Sequence, residues 1–233
     1  MSYYGSRKSF GKKKANNMIY SVLTIVCCLF TSVNNLNPPE VQVLIKAGLE
    51  FAYAEEFDSA QIYFDEIIEL NPDNPAGYFF KAALLQLKMM DQCQYLEGKE
   101  YLLLMDRTAR CAEKILREKE NLWAQFYLGS SYAYRAAYAG FKGDYFETFK
   151  YGVKGGRLLQ DIFTFSICNL DAYLGAGSFE YFWVRAARYL PILKLMGGDV
   201  DEAIRKLHIA AEKSFYSGPT TKNFLVFIYG EGS

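Results

Sequence analysis

His208 is the single histidine of this 233-residue sequence, and the one side chain whose ordinary pKa suits proton transfer near neutrality. It stands in Arg205-Lys206-Leu207-His208-Ile209. General acid–base work there needs a nucleophile and a supporting carboxylate within reach. The sequence places neither beside it, so His208 reads as a helix-surface or boundary residue. Of the five cysteines, Cys27 and Cys28 fall in an N-terminal apolar run, and Cys93, Cys111 and Cys168 are widely spaced. With no Cys-x-x-Cys pair and no Cys/His ligand set, zinc is not expected. The cysteines read instead as small apolar side chains in helix packing.

The glycine groups carry no phosphate chemistry either. Gly152-x-x-Gly155-Gly156-Arg157 and Gly175-x-Gly177 lack the preceding strand of a dinucleotide fingerprint, and no Lys-Ser/Thr follows them. Glu55, Glu56, Asp58, Asp65, Glu66 and Glu69 recur at helical spacing, which a solvated helix face explains better than a glycosidase pair. Catalysis, metal and cofactor are therefore all expected to be absent. Lys and Arg number 26 against 26 Asp and Glu, a balance that argues against a broad basic platform for nucleic acid. Hydrophobic residues make up 51% of the chain, enough for a sizeable core without disulfides. The 19 Tyr and 18 Phe suit long side chains filling gaps between helices.

The N-terminus reads as an address. Arg7, Lys8, Lys12, Lys13 and Lys14 precede an apolar run from Met18 to Val33, and no charge appears between Lys14 and Glu40. Basic region, apolar region and polar exit form the layout of an export signal, with the positive side staying cytoplasmic. Three forms compete. The short run favours a cleaved signal peptide, since a spanning helix needs about 20 residues. The poor cleavage site, with Thr31 and Val33 at the small-residue positions, favours an uncleaved membrane anchor. A lipoprotein signal needs small residues before Cys27 or Cys28, where Ile25 and Val26 stand. Residues 1–37 are thus set apart from a folded part, 38–233, that faces away from the cytoplasm.

The elements that would position any binding residue emerge from spacing. Leu44, Gly48, Phe51, Ala60, Phe64 and Pro72 stand at offsets that suit two antiparallel helices. Gly48 and Ala60 are small where the helices cross, and Phe51 and Phe64 fill the space on either side. Glu55-Glu56-Phe57-Asp58 forms the turn, Asn71-Pro72 ends the second helix, and Asn74-Pro75 starts the next. This pattern resembles the tetratricopeptide repeat family. The resemblance covers roughly residues 40–230 and implies an all-α fold, an α-α superhelix of about four antiparallel pairs plus a terminal helix.

Further units are degraded. In the second pair, Tyr78 and Ala82 keep register, Met89 to Tyr101 reads as a long linker, and Thr108 to Glu120 as the packing helix. The third opens near Leu122, with Leu128-Gly129 and Tyr132 in register and the turn Gly143-Asp144-Tyr145. That turn comes about two helical turns late, which lengthens the helix while keeping its buried face aligned. Thr148, Gly152 and Gly155 then fall on small or crossing positions. The fourth opens at Leu174-Gly175 and closes with Gly198 to Ala203, with Leu207 and Ala210 following in register. An apolar insert, residues 181–196, lies between its halves, with a bend expected at Pro191. A final apolar helix, Thr220 to Tyr229, lacks a partner in the pattern. Either the chain stops short of further repeats, or this end docks on a partner, or the helix folds back to cap the fourth pair. The long helices and the Trp in the fourth unit resemble exported bacterial proteins of the family.

In that family the first helix of each pair lines a concave groove that takes extended peptides or helices. Carried over by position, the groove set is Tyr53, Phe79, Trp123, Phe126 and Tyr134. The same aromatics can instead serve only to pack adjacent pairs. The carboxylate-clamp pattern of chaperone-binding relatives is absent, since Gln42, Ile45, Leu49, Ala76, Ala83 and Ser130 occupy its positions. The resemblance implies a non-enzymatic scaffold for a protein or peptide, exported to the periplasm or held at the membrane through residues 18–33. The alternative is an assembly protein that self-associates through the insert or the C-terminal helix.

Overall fold

The computed structural model describes residues 36–92, 97–165, 170–187 and 197–231. The basic and apolar N-terminal run and the expected bend at Pro191 lie outside these residues. Among the described residues nine helices follow one another: α1 (Pro39–Tyr53), α2 (Phe57–Leu70), α3 (Pro75–Asp91), α4 (Gly98–Glu118), α5 (Leu122–Phe141), α6 (Tyr145–Phe165), α7 (Ala172–Ala186), α8 (Val200–Lys213) and α9 (Gly218–Glu231). Each packs on the next, pairing α1 with α2, α3 with α4, α5 with α6 and α7 with α8. Contacts also run from α1 to α3, α3 to α5 and α5 to α7, so the odd-numbered helices form an inner layer and the even-numbered ones an outer layer. The architecture is all-α and consistent with an α-α superhelix. Among the described residues no helix is long and apolar enough to cross a membrane.

The helix starts are chemically marked. Asn74, Asn121 and Asp199 accept hydrogen bonds from the backbone N–H of Ala76, Ala124 and Asp201, each at 2.9 Å, and so cap α3, α5 and α8. Asp144 does the same for Glu147 at 3.0 Å in the first turn of α6. Gly143 precedes it at φ +76°, a left-handed conformation that costs glycine nothing.

Close approach sets the pairing. A Cβ on residue 48 would lie 2.4 Å from Phe64 Cε1, so the ring of Phe64 presses directly on the backbone of α1. Phe64 and Ala60 are both buried, as the repeat pattern requires. Adjacent glycines on α6 serve opposite neighbours. At Gly155 a Cβ would meet the α5 backbone, 2.7 Å from both Ala133 N and Gly129 O, and at Gly156 it would meet Phe179 of α7 at 2.2 Å. Leu159, fully buried, then enters the space left by Gly129 on one side and Gly175 on the other.

Three expectations need correction. α2 begins at Phe57, so the first turn is shorter than Glu55 to Asp58. Most of the stretch from Met89 to Tyr101 is helical, because α3 runs to Asp91 and α4 starts at Gly98, ten residues before Thr108. The strongly amphipathic face of α4, with Tyr101, Met105, Thr108 and Ala112 buried, extends that helix upstream. Gly152 is not a crossing point, since its nearest neighbour would be Ala136 Cβ at an ordinary 3.8 Å. For the terminal helix the fold-back alternative is the one observed: α9 packs on α8, burying Leu225 and Ile228 with Tyr181, Ala203 and Leu207.

Candidate functional site

Four of the five expected groove residues meet in one aromatic assembly on the inner layer. Phe79 of α3 lies edge-on to Tyr134 at 5.2 Å and to Phe126 at 6.3 Å between centroids, both on α5. Trp123 stands 5.7 Å from Phe126 with planes at 86°. Phe80 and Tyr127, which the spacing did not single out, complete the assembly. Perpendicular pairs of this kind add about 0.5–1.5 kcal/mol each beyond the area they bury. Phe79 and Phe126 are 4% and 7% exposed, so they act as core and offer little surface to a partner. Burial pushes the phenols of Tyr127 and Tyr134 well above their ordinary pKa, which keeps both neutral.

The assembly is covered by the chain itself. Between α8 and α9, Phe215-Tyr216-Ser217 reaches across the inner face, and Tyr216 packs 5.5 Å from Phe80 and 6.1 Å from Trp123. Its hydroxyl stands 3.4 Å from Nδ2 of the buried Asn37, whose Oδ1 accepts a hydrogen bond from Tyr127 at 2.9 Å. Tyr53, the fifth expected groove residue, has its hydroxyl near that of Tyr134 and shares a 2.9 Å hydrogen bond with Thr220 at the start of α9. The C-terminal segment therefore ties the first helix to the last.

Asp171 holds this segment in place. Its Oδ1 accepts the N–H of Tyr216 at 2.8 Å and of Ser217 at 2.7 Å, and its Oδ2 that of Phe215 at 3.2 Å. These donors precede α9, so the carboxylate satisfies backbone groups at the entry to that helix. Burial raises the Asp171 pKa, and the three backbone hydrogen bonds together with the Ser217 side chain oppose that shift without cancelling it.

Among the described residues a cleft opens on the inner face, where α1, α5 and α7 begin and α8 ends. It encloses about 220 Å3, lined by Gln42, Trp123, Leu170, Asp171, Lys213, Phe215 and Tyr216. Trp123 is half-buried and Phe215 is 61% exposed, so both present ring surface. No family model, no curated protein and no solved structure matches this chain. Function has to be argued from this geometry.

The remaining sequence candidates lie elsewhere. His208 is exposed on α8 and shares a 2.9 Å hydrogen bond with the Tyr229 hydroxyl, away from the cleft. Cys111 is buried in α4, where burial raises its thiol pKa and disfavours the nucleophilic thiolate. Among the described residues, no three His, Cys, Asp or Glu side chains are placed to hold a metal ion. The repeat-defining residues Gly48, Phe51, Ala60, Phe64, Gly129, Tyr132, Gly175 and Ala203 lie on the packed helices, and Pro72 sits in the turn between α2 and α3.

Asp171, Lys213, Phe215 and Tyr216 went unnoticed in the sequence. Lys213-Ser214-Phe215-Tyr216-Ser217-Gly218 carries a turn signal in Ser-Gly but nothing that points to residues 80 or 123. A contact over such a separation has no local periodicity to betray it.

Proposed function

We propose that the chain is a tetratricopeptide-type scaffold that binds a protein or peptide and has no catalytic activity of its own. One observation carries this reading: an aromatic cleft on the inner helical layer, with Trp123 and Phe215 at its surface. Aromatic side chains supply large contact area at low conformational-entropy cost, which is why they dominate binding hot spots. The order of packing, with small residues where helices cross, supports the repeat identity. The basic and apolar N-terminal run supports an extracytoplasmic location, either released after cleavage or held at the cytoplasmic membrane.

The chain contains two tryptophans, Trp123 and Trp183, so Trp183→Phe leaves the cleft residue as the sole indole reporter. Peptides selected from a random display library should then shift its emission saturably. Trp123→Ala, followed by calorimetry, should weaken the same peptides about tenfold or more with helicity unchanged. Equal binding by Trp123→Ala and the parent would refute the cleft as the partner site.

A second reading has its own observation. On α9, Val226, Phe227 and Tyr229 are 71%, 48% and 52% exposed, an apolar surface suited to self-association. Light scattering across a hundredfold range of concentration tests it, and a constant monomer mass would eliminate it.

A further inference from the structure

The cleft holds a negative charge that no ion pair balances. Asp171 is 4% exposed, lines the cleft, and makes no ion pair among the described residues. Its donors are neutral: three backbone amides, with the Ser217 hydroxyl close enough to favour the charged form as well. A carboxylate offers about four acceptor positions, two on each oxygen. Oδ1 has two filled and Oδ2 one, which leaves a position on Oδ2 for one further donor.

Around this carboxylate the rings stand at steep angles to one another. Trp123 and Tyr216 are 6.1 Å apart with planes at 63°, and Phe215 and Tyr216 are 4.7 Å apart with planes at 87°. Walls set this way let an entering cation meet the negative face of more than one ring. An anion would instead face Asp171 across a low-dielectric cleft. A quaternary ammonium would satisfy the rings but has no N–H for Oδ2. A guanidinium meets all three conditions: it is planar for stacking, it carries several donors, and it is more weakly hydrated than an ammonium.

We propose that this cleft receives an arginine side chain of a peptide partner. The guanidinium lies against Trp123 and Phe215 and donates one N–H to Asp171 Oδ2, with its methylene stem passing Leu170. The inference rests on the reading of the inner face as a peptide-binding surface. Among the described residues Lys213 is the one cation in the lining. It is exposed, sits in the last turn of α8 where the helix C-terminus favours positive charge, and is not paired with Asp171. Lys213 therefore opposes an incoming arginine from the rim.

The test uses the full chain and the peptide acetyl-Ala-Ala-Arg-Ala-Ala-amide, with partners carrying citrulline, lysine, trimethyllysine or glutamate at the centre. Binding is followed by calorimetry and by the emission of Trp123 in the Trp183→Phe background. The arginine peptide should bind saturably, and its uncharged citrulline isostere about tenfold more weakly. The lysine and trimethyllysine peptides should fall between them, and the glutamate peptide should not bind. Asp171→Asn should weaken arginine binding about fivefold to tenfold. Lys213→Gln, at an exposed position where folding is not at stake, should strengthen it about twofold to fivefold. Citrulline binding as well as arginine, or Lys213→Gln weakening the complex, would overturn the assignment. Library peptides that depend on Trp123 but show no arginine preference would overturn it too, while leaving the inner-face reading intact. If no library peptide depends on Trp123, both readings fall together.

Discussion

From α1 to α6 the chain is held around one continuous core with partly exposed ion pairs, whereas α7 to α9 combine smaller apolar clusters with a buried ion pair and a buried carboxylate. In the first region Phe64 presses on Gly48, the backbone of Gly155 touches α5, and one continuous core runs from Val41 through Met105 to Ile162. In the second region the apolar clusters are small, one around Tyr181 and Leu207 and another around Trp183. Charge supplements them. Glu180 of α7 and Lys206 of α8, each about a tenth exposed, meet at 2.5 Å, and Asp171 gathers the N–H groups ahead of α9. Shape interlock tolerates no change in volume but is indifferent to protonation. Charged contacts are sensitive to the loss of either member, because the survivor stays buried without compensation.

The contrast can be broken at its strongest point first. Phe64→Ala should lower the unfolding free energy by about 4 kcal/mol, since it deletes a fully buried ring and leaves a cavity beside Gly48. Denaturant titration gives the value, and a loss below about 1.5 kcal/mol would show that α1 and α2 do not depend on that contact.

Glu180→Ala should cost about 2 kcal/mol, because it removes the 2.5 Å partner of the Lys206 ammonium, leaves Glu202 at 3.8 Å as its remaining ion-pair partner among the described contacts, and deletes the acceptor of the Asp199 N–H. Glu180→Leu combined with Lys206→Met should recover most of that loss in a double-mutant cycle. Failure to recover would mean that packing, not charge, joins α7 to α8. Native-state hydrogen exchange offers a companion measurement, in which amides of α7 to α9 should open at lower free energy than those of α3 to α6.

Smaller effects separate two glycines one turn apart on α6. Gly155→Ala should destabilise by about 1–2 kcal/mol, because the added methyl meets backbone that cannot yield. Gly152→Ala should stabilise by about 0.5–1 kcal/mol, since the helix gains propensity and the methyl makes only an ordinary contact with Ala136. Thermal midpoints moving in the same direction would contradict the assignment of α6 glycines to crossing and non-crossing roles.

The smallest effect is a dependence on pH. Burial holds the Asp171 pKa in the fold above its unfolded value. Below the unfolded value both states carry the proton and the residue's stabilising contribution is complete. As pH rises through the folded value, the fold must accept a buried anion and that contribution is lost. The stability of the parent minus that of Asp171→Asn should therefore decline as pH rises above about 4. A difference that grows with pH would show that the three N–H donors outweigh desolvation.

Much of the architecture was legible residue by residue. Gly48, Ala60, Phe64 and Pro72 mark the first pair, and Gly143-Asp144-Tyr145 marks the turn between α5 and α6, because crossing and turning impose local steric demands that only certain side chains meet. The start of α4 was missed: the linker reading gave no weight to the amphipathic face that extends upstream of Thr108. Gly152 was misjudged for a related reason. Helical spacing shows which glycines share a face, not which of them a neighbouring helix approaches.

By itself the sequence determined an all-helical chain of antiparallel pairs and brought most of the inner aromatics to one layer, since helical periodicity and small-residue spacing act over a few turns. Tertiary structure alone decided which of those rings became core and which stayed at the surface. It carried Phe215 and Tyr216 back across the inner face and set Asp171 beneath them. Those choices depend on how successive pairs rotate relative to one another. That rotation sums small packing angles over the whole solenoid and leaves no mark in any local stretch of residues.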